Sequence, residues 1–145
     1  MYDNILLPTD GSDGMADAAR HAGVLAERFD ATVHILSVID PRNRFESPTS
    51  GLSTAAWEAA ERERAEGAVE RTAATLPDGL SVETTLLEGV PKTVILDYIR
   101  DERMDIVVMG THGRSGLNHY LIGSVAEKVV RNSPVPVVTV RLTEE

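Results

Sequence analysis

The 145-residue sequence has no cysteine. Disulfides, thiolate metal sites and cysteine nucleophiles are thereby excluded. Lysine is almost missing as well: Lys92 and Lys128 are the only two, and arginine supplies the other basic residues. Long hydrophobic runs are absent. The longest are short, such as "IVVM" and "VPVV", so no membrane-spanning helix and no membrane insertion are expected. The opening "MYDNILLPTDGS" enters a strand at once and reads as no targeting segment. Neither a Pro/Gly/Ser-rich linker nor an internal repeat divides the chain. One domain over residues 1–145, located in the cytoplasm, is the resulting expectation.

Positive charge is scarce overall. A formal net charge of −9 repels nucleic acid and anionic membrane surfaces, so neither is an expected partner. The same field opposes any anionic ligand, which must be held by local donors and a divalent cation. An acidic, lysine-poor composition fits ordinary solubility, and it fits a high-salt cytoplasm too.

What is present alternates between two periodicities. "NILLPTD" is a short apolar run ended by Pro8 and Asp10. "GSDGMADAARHAGVLAERFD" repeats Met15, Ala18, Ala19, Ala22, Leu25, Ala26 and Phe29 at helical spacing, with Ser12 or Asp13 available as a cap. "ATVHILSVI" is β-branched and reads as a second strand. A polar loop, "DPRNRFESPTSG", leads to a long helix over "LSTAAWEAAERERAEGAVERTAATL", stopped by "PDG". "LSVETTLLEG" is a third strand. "VPKTVILDYIRDE" is a helix whose apolar face is Val94, Ile95, Tyr98 and Ile99. "DIVVMG" is apolar on both faces and belongs in the centre of a parallel sheet. "SVAEKVVRN" is a last helix and "PVPVVTVR" a last strand.

This alternation predicts an α/β fold: an open parallel five-stranded sheet with helices on both faces. Ligands in such sheets bind beyond the carboxyl ends of the strands, where strand order reverses. Two loops rich in glycine and polar residues follow strands: "PTDGSDG" after the first and "GTHGRSG" after the fourth. If those two strands are neighbours, the order is 3-2-1-4-5 and both loops face one crevice.

The second loop carries the chemistry. Gly110 ends a strand without a β-carbon, so a flat ligand can approach the backbone. Gly113 lies where the chain must turn. Gly123 and Ser124 open a helix, whose first N–H groups and positive dipole end suit an anion. The parts form a phosphate cradle of main-chain amides. The spacing is neither G-x-x-x-x-G-K-[ST] nor G-x-G-x-x-G.

These residues resemble the universal stress protein family, whose nucleotide-binding members carry Gly, two residues, Gly, nine residues, Gly, then Ser or Thr. Here the pattern is Gly110, "TH", Gly113, "RSGLNHYLI", Gly123, Ser124. The likeness extends to "ILLPTDGS", "GVP" and "SPVPVVTVR". It implies a Rossmann-like fold, binding of ATP (or AMP or ADP) with Mg²⁺ on the phosphates, and a homodimer through the last strand, Val137–Arg141. Carried over residue by residue, it places Gly110, Gly113 and Arg114 at ribose and phosphates, with Ser115 and Gly116 continuing the loop. Gly123, Ser124 and Val125 hold phosphate, Pro8, Thr9 and Asp10 meet the adenosine, and Val38 and Met109 flank the adenine. His112, inside the motif, is placed to donate to a phosphate.

Simpler roles stand beside these. Asp10 caps the first helix or braces a turn. Asp13 would repel phosphate, so "GSDG" reads as a helix cap. Trp57 reads as packing or a dimer contact. His21, His34 and His119 have no acidic or cysteine cluster at ligand spacing, and no protein-built metal site is expected. A stress or signalling module that binds ATP is the leading reading. A slow ATPase or a phosphoryl or adenylyl transferase is a second, although phosphoryl transfer needs cationic charge and only Arg114 and His112 lie close in the sequence. A structural dimer with a vestigial pocket is a third.

Overall fold

The computed structural model describes residues 1–12, 15–45, 53–111 and 123–141. In chain order the elements are β1 (Asn4–Pro8), α1 (Met15–Phe29), β2 (Thr32–Ile39), a short 3-10 helix (Pro41–Phe45), α2 (Thr54–Ala74), β3 (Ser81–Glu88), α3 (Pro91–Asp101), β4 (Ile106–Gly110), α4 (Ser124–Asn132) and β5 (Val137–Val140). All strand pairs are parallel, and their order is β3-β2-β1-β4-β5. The expected architecture and strand order are both observed.

Alternation along the central strands builds two separate cores, because successive side chains leave a strand on opposite faces. Ile5, Leu7, Val33, Ile35, Ile106 and Val108 pack under α1 and α2. Leu6, Leu36, Val107 and Met109 pack under α3 and α4. Each fully buried aliphatic side chain contributes roughly 1.5–3 kcal/mol, so the all-apolar "IVVM" makes β4 a central strand, as its register on both sides shows.

Helix ends follow local chemistry. α2 begins at Thr54 because the Ser53 hydroxyl accepts the Ala56 N–H at 3.2 Å. Pro91 stands in the first turn of α3, where no N–H is needed. The expected face of α3 is observed with one addition, since Leu96 is buried beside Ile95 and Ile99. On α1 the expected stripe is buried except at Leu25, which is half-buried, and at its end, where Phe29 stays 39 % exposed and meets Tyr2 edge-on at 5.0 Å. Trp57 is 1 % exposed, in a small core with Ile39 and Ala65, which is the packing role.

Strand ends are shorter than the sequence pattern. β5 starts at Val137 rather than Pro134, because Pro134 and Pro136 have no N–H to give; Pro136 still accepts from Val107 N–H at 3.0 Å. β1 ends at Pro8 rather than Asp10, because Asp10 turns the chain.

Candidate functional site

The reversal of strand order lies between β1 and β4. From β1 the chain builds outward through β2 to β3, then returns to place β4 and β5 on the other side. Between these two strands the ladder is short: only Ile5↔Ile106 and Leu6↔Val107 pair, whereas β4 and β5 continue to Gly110↔Val140. Pro8 explains the early end. Thr9 N–H donates to Leu36 O in β2 at 2.8 Å, so by alternation the position of Pro8 faces β4, where it has no N–H to offer. The carboxyl ends of β1 and β4 are therefore unzipped from each other beyond Leu6↔Val107.

On the β1 side, the loop is held by its own short side chains. The Thr72 hydroxyl donates to Ala68 O at 2.8 Å, so Thr9 Oγ1 is the donor in its 2.9 Å bond to Thr72 Oγ1. Thr9 Oγ1 also accepts the Gly11 N–H at 3.1 Å. The Thr9 hydroxyl thus ties β1 to α2. Asp10 Oδ1 accepts the Ser12 N–H at 3.0 Å, the turn-bracing role. Ser12 O accepts from Met15 N–H, but its hydroxyl caps nothing: Ser12 Oγ is shut off from solvent and has no partner among the described residues. The alternative cap, Asp13, lies outside the described residues.

Gly11 is required twice over. Its φ is +80°, and a β-carbon there would stand 2.9 Å from Ala68 Cβ. The loop passes directly over α2 with no room for a side chain.

On the β4 side, Thr111 N–H donates to Val140 O at 3.0 Å, and Thr111 O accepts the Gly123 N–H. That second bond brings the first and last glycines of the motif, Gly110 and Gly123, to one place. Gly123 is the N-cap of α4 in extended geometry, with no side-chain cap bond. Glu127 N–H is bonded to Gly123 O, so the N–H groups of Ser124, Val125 and Ala126 precede the helical ladder. Ser124 is exposed, and Val125 is half-buried against the lower core. Val38 and Met109 lie on that same face of the sheet, with β1 between their strands.

The structure thus brings together Pro8, Thr9, Asp10, Val38, Met109, Gly110, Gly123, Ser124 and Val125 at one end of the sheet. His112, Gly113, Arg114, Ser115 and Gly116 lie outside the described residues. The donor set fits an anionic, flat-ringed ligand: free helix-start amides, a glycine at a strand end, a carboxylate, and apolar side chains below. An orphaned hydroxyl at Ser12 adds a polar atom that the described residues leave unsatisfied.

Sequence reasoning read Gly11 only as part of "GSDG", and passed over Thr72 and the pair Asp40–Arg42. Thr72 had no signal, since only the tertiary fold puts that helical threonine against β1. At the end of β2, Asp40 is 7 % exposed and accepts the Arg42 N–H, Nε and Nη2, the last at 2.8 Å. The side-chain hydrogen bond from Arg42 holds the Asp40 carboxyl below its ordinary range, against the opposing effect of burial.

Comparison with known proteins agrees with this architecture. A family model described as the Universal stress protein family matches residues 1–141. This chain belongs to that family. Universal stress protein MJ0531 of Methanocaldococcus jannaschii is 37% identical over 146 residues, covering 97% of this chain and 83% of that one. Among solved structures, the universal stress protein UspA from Lactobacillus plantarum superposes with a TM-score of 0.81 at 28% identity, covering 97% of this chain and 98% of that one. A universal stress protein in complex with cAMP superposes with a TM-score of 0.68 at 25% identity, covering 98% of each chain. This universal stress protein shares with them the Rossmann-like parallel sheet. Among its described residues no helix is long and apolar enough to cross a membrane.

Proposed function

We propose that this universal stress protein binds an adenine nucleotide, ATP foremost, at the unzipped ends of β1 and β4, and acts as a stress-response or signalling module. One observation carries the reading: the Thr111–Gly123 hydrogen bond sets the uncapped start of α4 against the end of β4 at the reversal point. Helix-start amides and the dipole there favour a phosphate. A relative solved with cAMP lends support from the same fold.

In this reading the N–H groups of Ser124 and Val125 hold phosphate, and Gly110 lets the ribose approach the backbone. Asp10 accepts from a ribose hydroxyl or the adenine amino group while it braces its turn. Val38 and Met109 cover the purine. Thr9 contributes its backbone, because its hydroxyl is committed to Thr72 and Gly11. The motif residues His112, Gly113, Arg114, Ser115 and Gly116 complete the phosphate shell in this reading. Mg²⁺ is carried on the phosphates in this reading. Bound nucleotide offsets the repulsion of the −9 chain through these local donors. The reading includes a homodimer through Val137–Arg141 and a cytoplasmic location. Partner choice then follows nucleotide state, which requires different affinities in the two states.

The experiment is to denature purified protein and analyse the released small molecules. Recovered adenine nucleotide supports the reading. A protein that releases none and binds no added ATP favours the alternative, a structural dimer with a vestigial pocket.

A further inference from the structure

β3 is one edge of the sheet, at the far side of β2 from the reversal between β1 and β4. It pairs with β2 in unbroken register from Ser81 to Glu88. On its other side no described residue pairs with it. Gly89 N–H donates to Ile39 O at 2.9 Å. By the two-residue alternation of a strand, the N–H groups of Val82, Thr84 and Leu86 therefore point away from β2, into the open. Natural edges are blunted by shortness, proline, lysine or a bulge. β3 has eight residues and continuous register, with neither proline nor lysine.

A groove of about 440 Å³ runs beside this edge, between β3 and α3. Leu87, Val94 and Tyr98 give it apolar walls, and Leu87 is 39 % exposed. Glu88, Asp97, Asp101 and Glu102 add four carboxylates to the lining, and no basic side chain joins them. None of the four is in an ion pair among the described residues. An open strand edge, an apolar floor and uncompensated negative charge thus coincide.

We propose that the β3 edge and the β3–α3 groove dock an extended, basic segment of a partner protein, which adds to the sheet as a sixth strand. Its main chain pairs with the outward amides of β3, and alternate lysine or arginine side chains reach Asp97, Asp101 and Glu102. Charge decides the occupant. A second copy of this chain carries −9, and a twofold pairing of β3 with itself brings two acidic rims together. Nucleic acid is repelled in the same way. The docking surface is independent of the nucleotide reading.

The test uses the full chain and three eight-residue peptides: alternating lysine–valine, alternating glutamate–valine, and the lysine–valine peptide N-methylated at every residue. Binding is followed by anisotropy of the labelled peptide and by hydrogen exchange of the protein. The lysine peptide should bind and slow exchange at Val82, Thr84 and Leu86. The glutamate peptide should not bind, and N-methylation should weaken binding at least tenfold. The combined variant Asp97→Asn/Asp101→Asn/Glu102→Gln should weaken it at least tenfold too. Equal affinity of the N-methylated peptide overturns the proposal, since it reduces the effect to general charge attraction. So does unchanged exchange at β3, or protection of those amides in the free protein that grows with concentration as its mass doubles.

Discussion

The carbonyl of Thr111 accepts the backbone N–H of Gly123. Through this one bond the end of β4 and the start of α4 become neighbours, although Thr111 and Gly123 stand twelve positions apart in the sequence. The bond uses the amide of the N-cap residue, which leaves the next amides of the helix facing outward from the ladder. The proposed phosphate site rests on those amides.

Ser124→Pro isolates that geometry. Gly123 has φ −66° and ψ 154°, a conformation that a following proline prefers, and proline is accommodated at the first helical position. Folding stability should stay within about 0.5 kcal/mol of the parent. One helix-start N–H and one hydroxyl are lost, so ATP affinity should fall by roughly tenfold to a hundredfold, from about 1.5–3 kcal/mol for a hydrogen bond to a charged group. Urea unfolding and calorimetry on the same preparation check both halves.

Gly11→Ala should destabilise the chain more than Gly79→Ala. Both glycines have positive φ, +80° and +91°. A β-carbon at Gly11 meets Ala68 Cβ at 2.9 Å, whereas nothing lies within 4 Å at Gly79. Backbone strain alone costs about 1–2 kcal/mol at each; crowding adds to it only at Gly11. Urea unfolding of the two variants measures the difference, and equal losses would show that the loop over α2 yields.

The Thr9–Thr72 bridge should behave as a coupled pair. Thr72→Val leaves the Thr9 hydroxyl, in a residue 7 % exposed, without its acceptor. A loss of about 1–3 kcal/mol is expected. Adding Thr9→Val removes the stranded donor, so the double variant should lose less than the sum of the single losses. A double-mutant cycle by urea denaturation reads the coupling.

Arg42→Ala should change stability according to pH. Arg42 depresses the folded-state value of Asp40, so its contribution is full above the ordinary carboxylate value of about 3.9. It is lost as pH falls through the lower folded value. The variant should therefore be less stable than the parent at pH 7 and 5, and the gap should narrow at a third, more acid pH below the ordinary carboxylate value. The Arg42 side chain is 66 % exposed, so solvent keeps the effect modest. Unfolding at the three pH values checks the narrowing.

Most of the architecture was legible because burial and periodicity coincide in this chain. "IVVM" has no polar position, and only a strand covered on both faces accepts that. Ala18, Ala19, Ala22 and Ala26 mark the buried side of α1 by spacing alone. Element ends were less legible, since they depend on hydrogen bonds such as Ala56 N–H to Ser53 Oγ. At the candidate site, Gly110, Gly123 and Ser124 were readable because their chemistry lies in the backbone and in spacing. Pro8 was read as the end of an apolar run and, through the family resemblance, as an adenosine contact. Its wider effect, the unzipping of β1 from β4, depends on which way its missing N–H would have pointed. Thr72 was invisible for a simpler reason: its partner is 63 residues away.

The most direct test of the whole account is calorimetry of the purified chain, stripped of any bound small molecule, with millimolar Mg·ATP. Saturable heat with a stoichiometry near one per chain, weakened in Ser124→Pro, is the predicted result. Heat no greater than dilution, from protein shown to be folded, would contradict the claim that the start of α4 and the end of β4 hold a nucleotide.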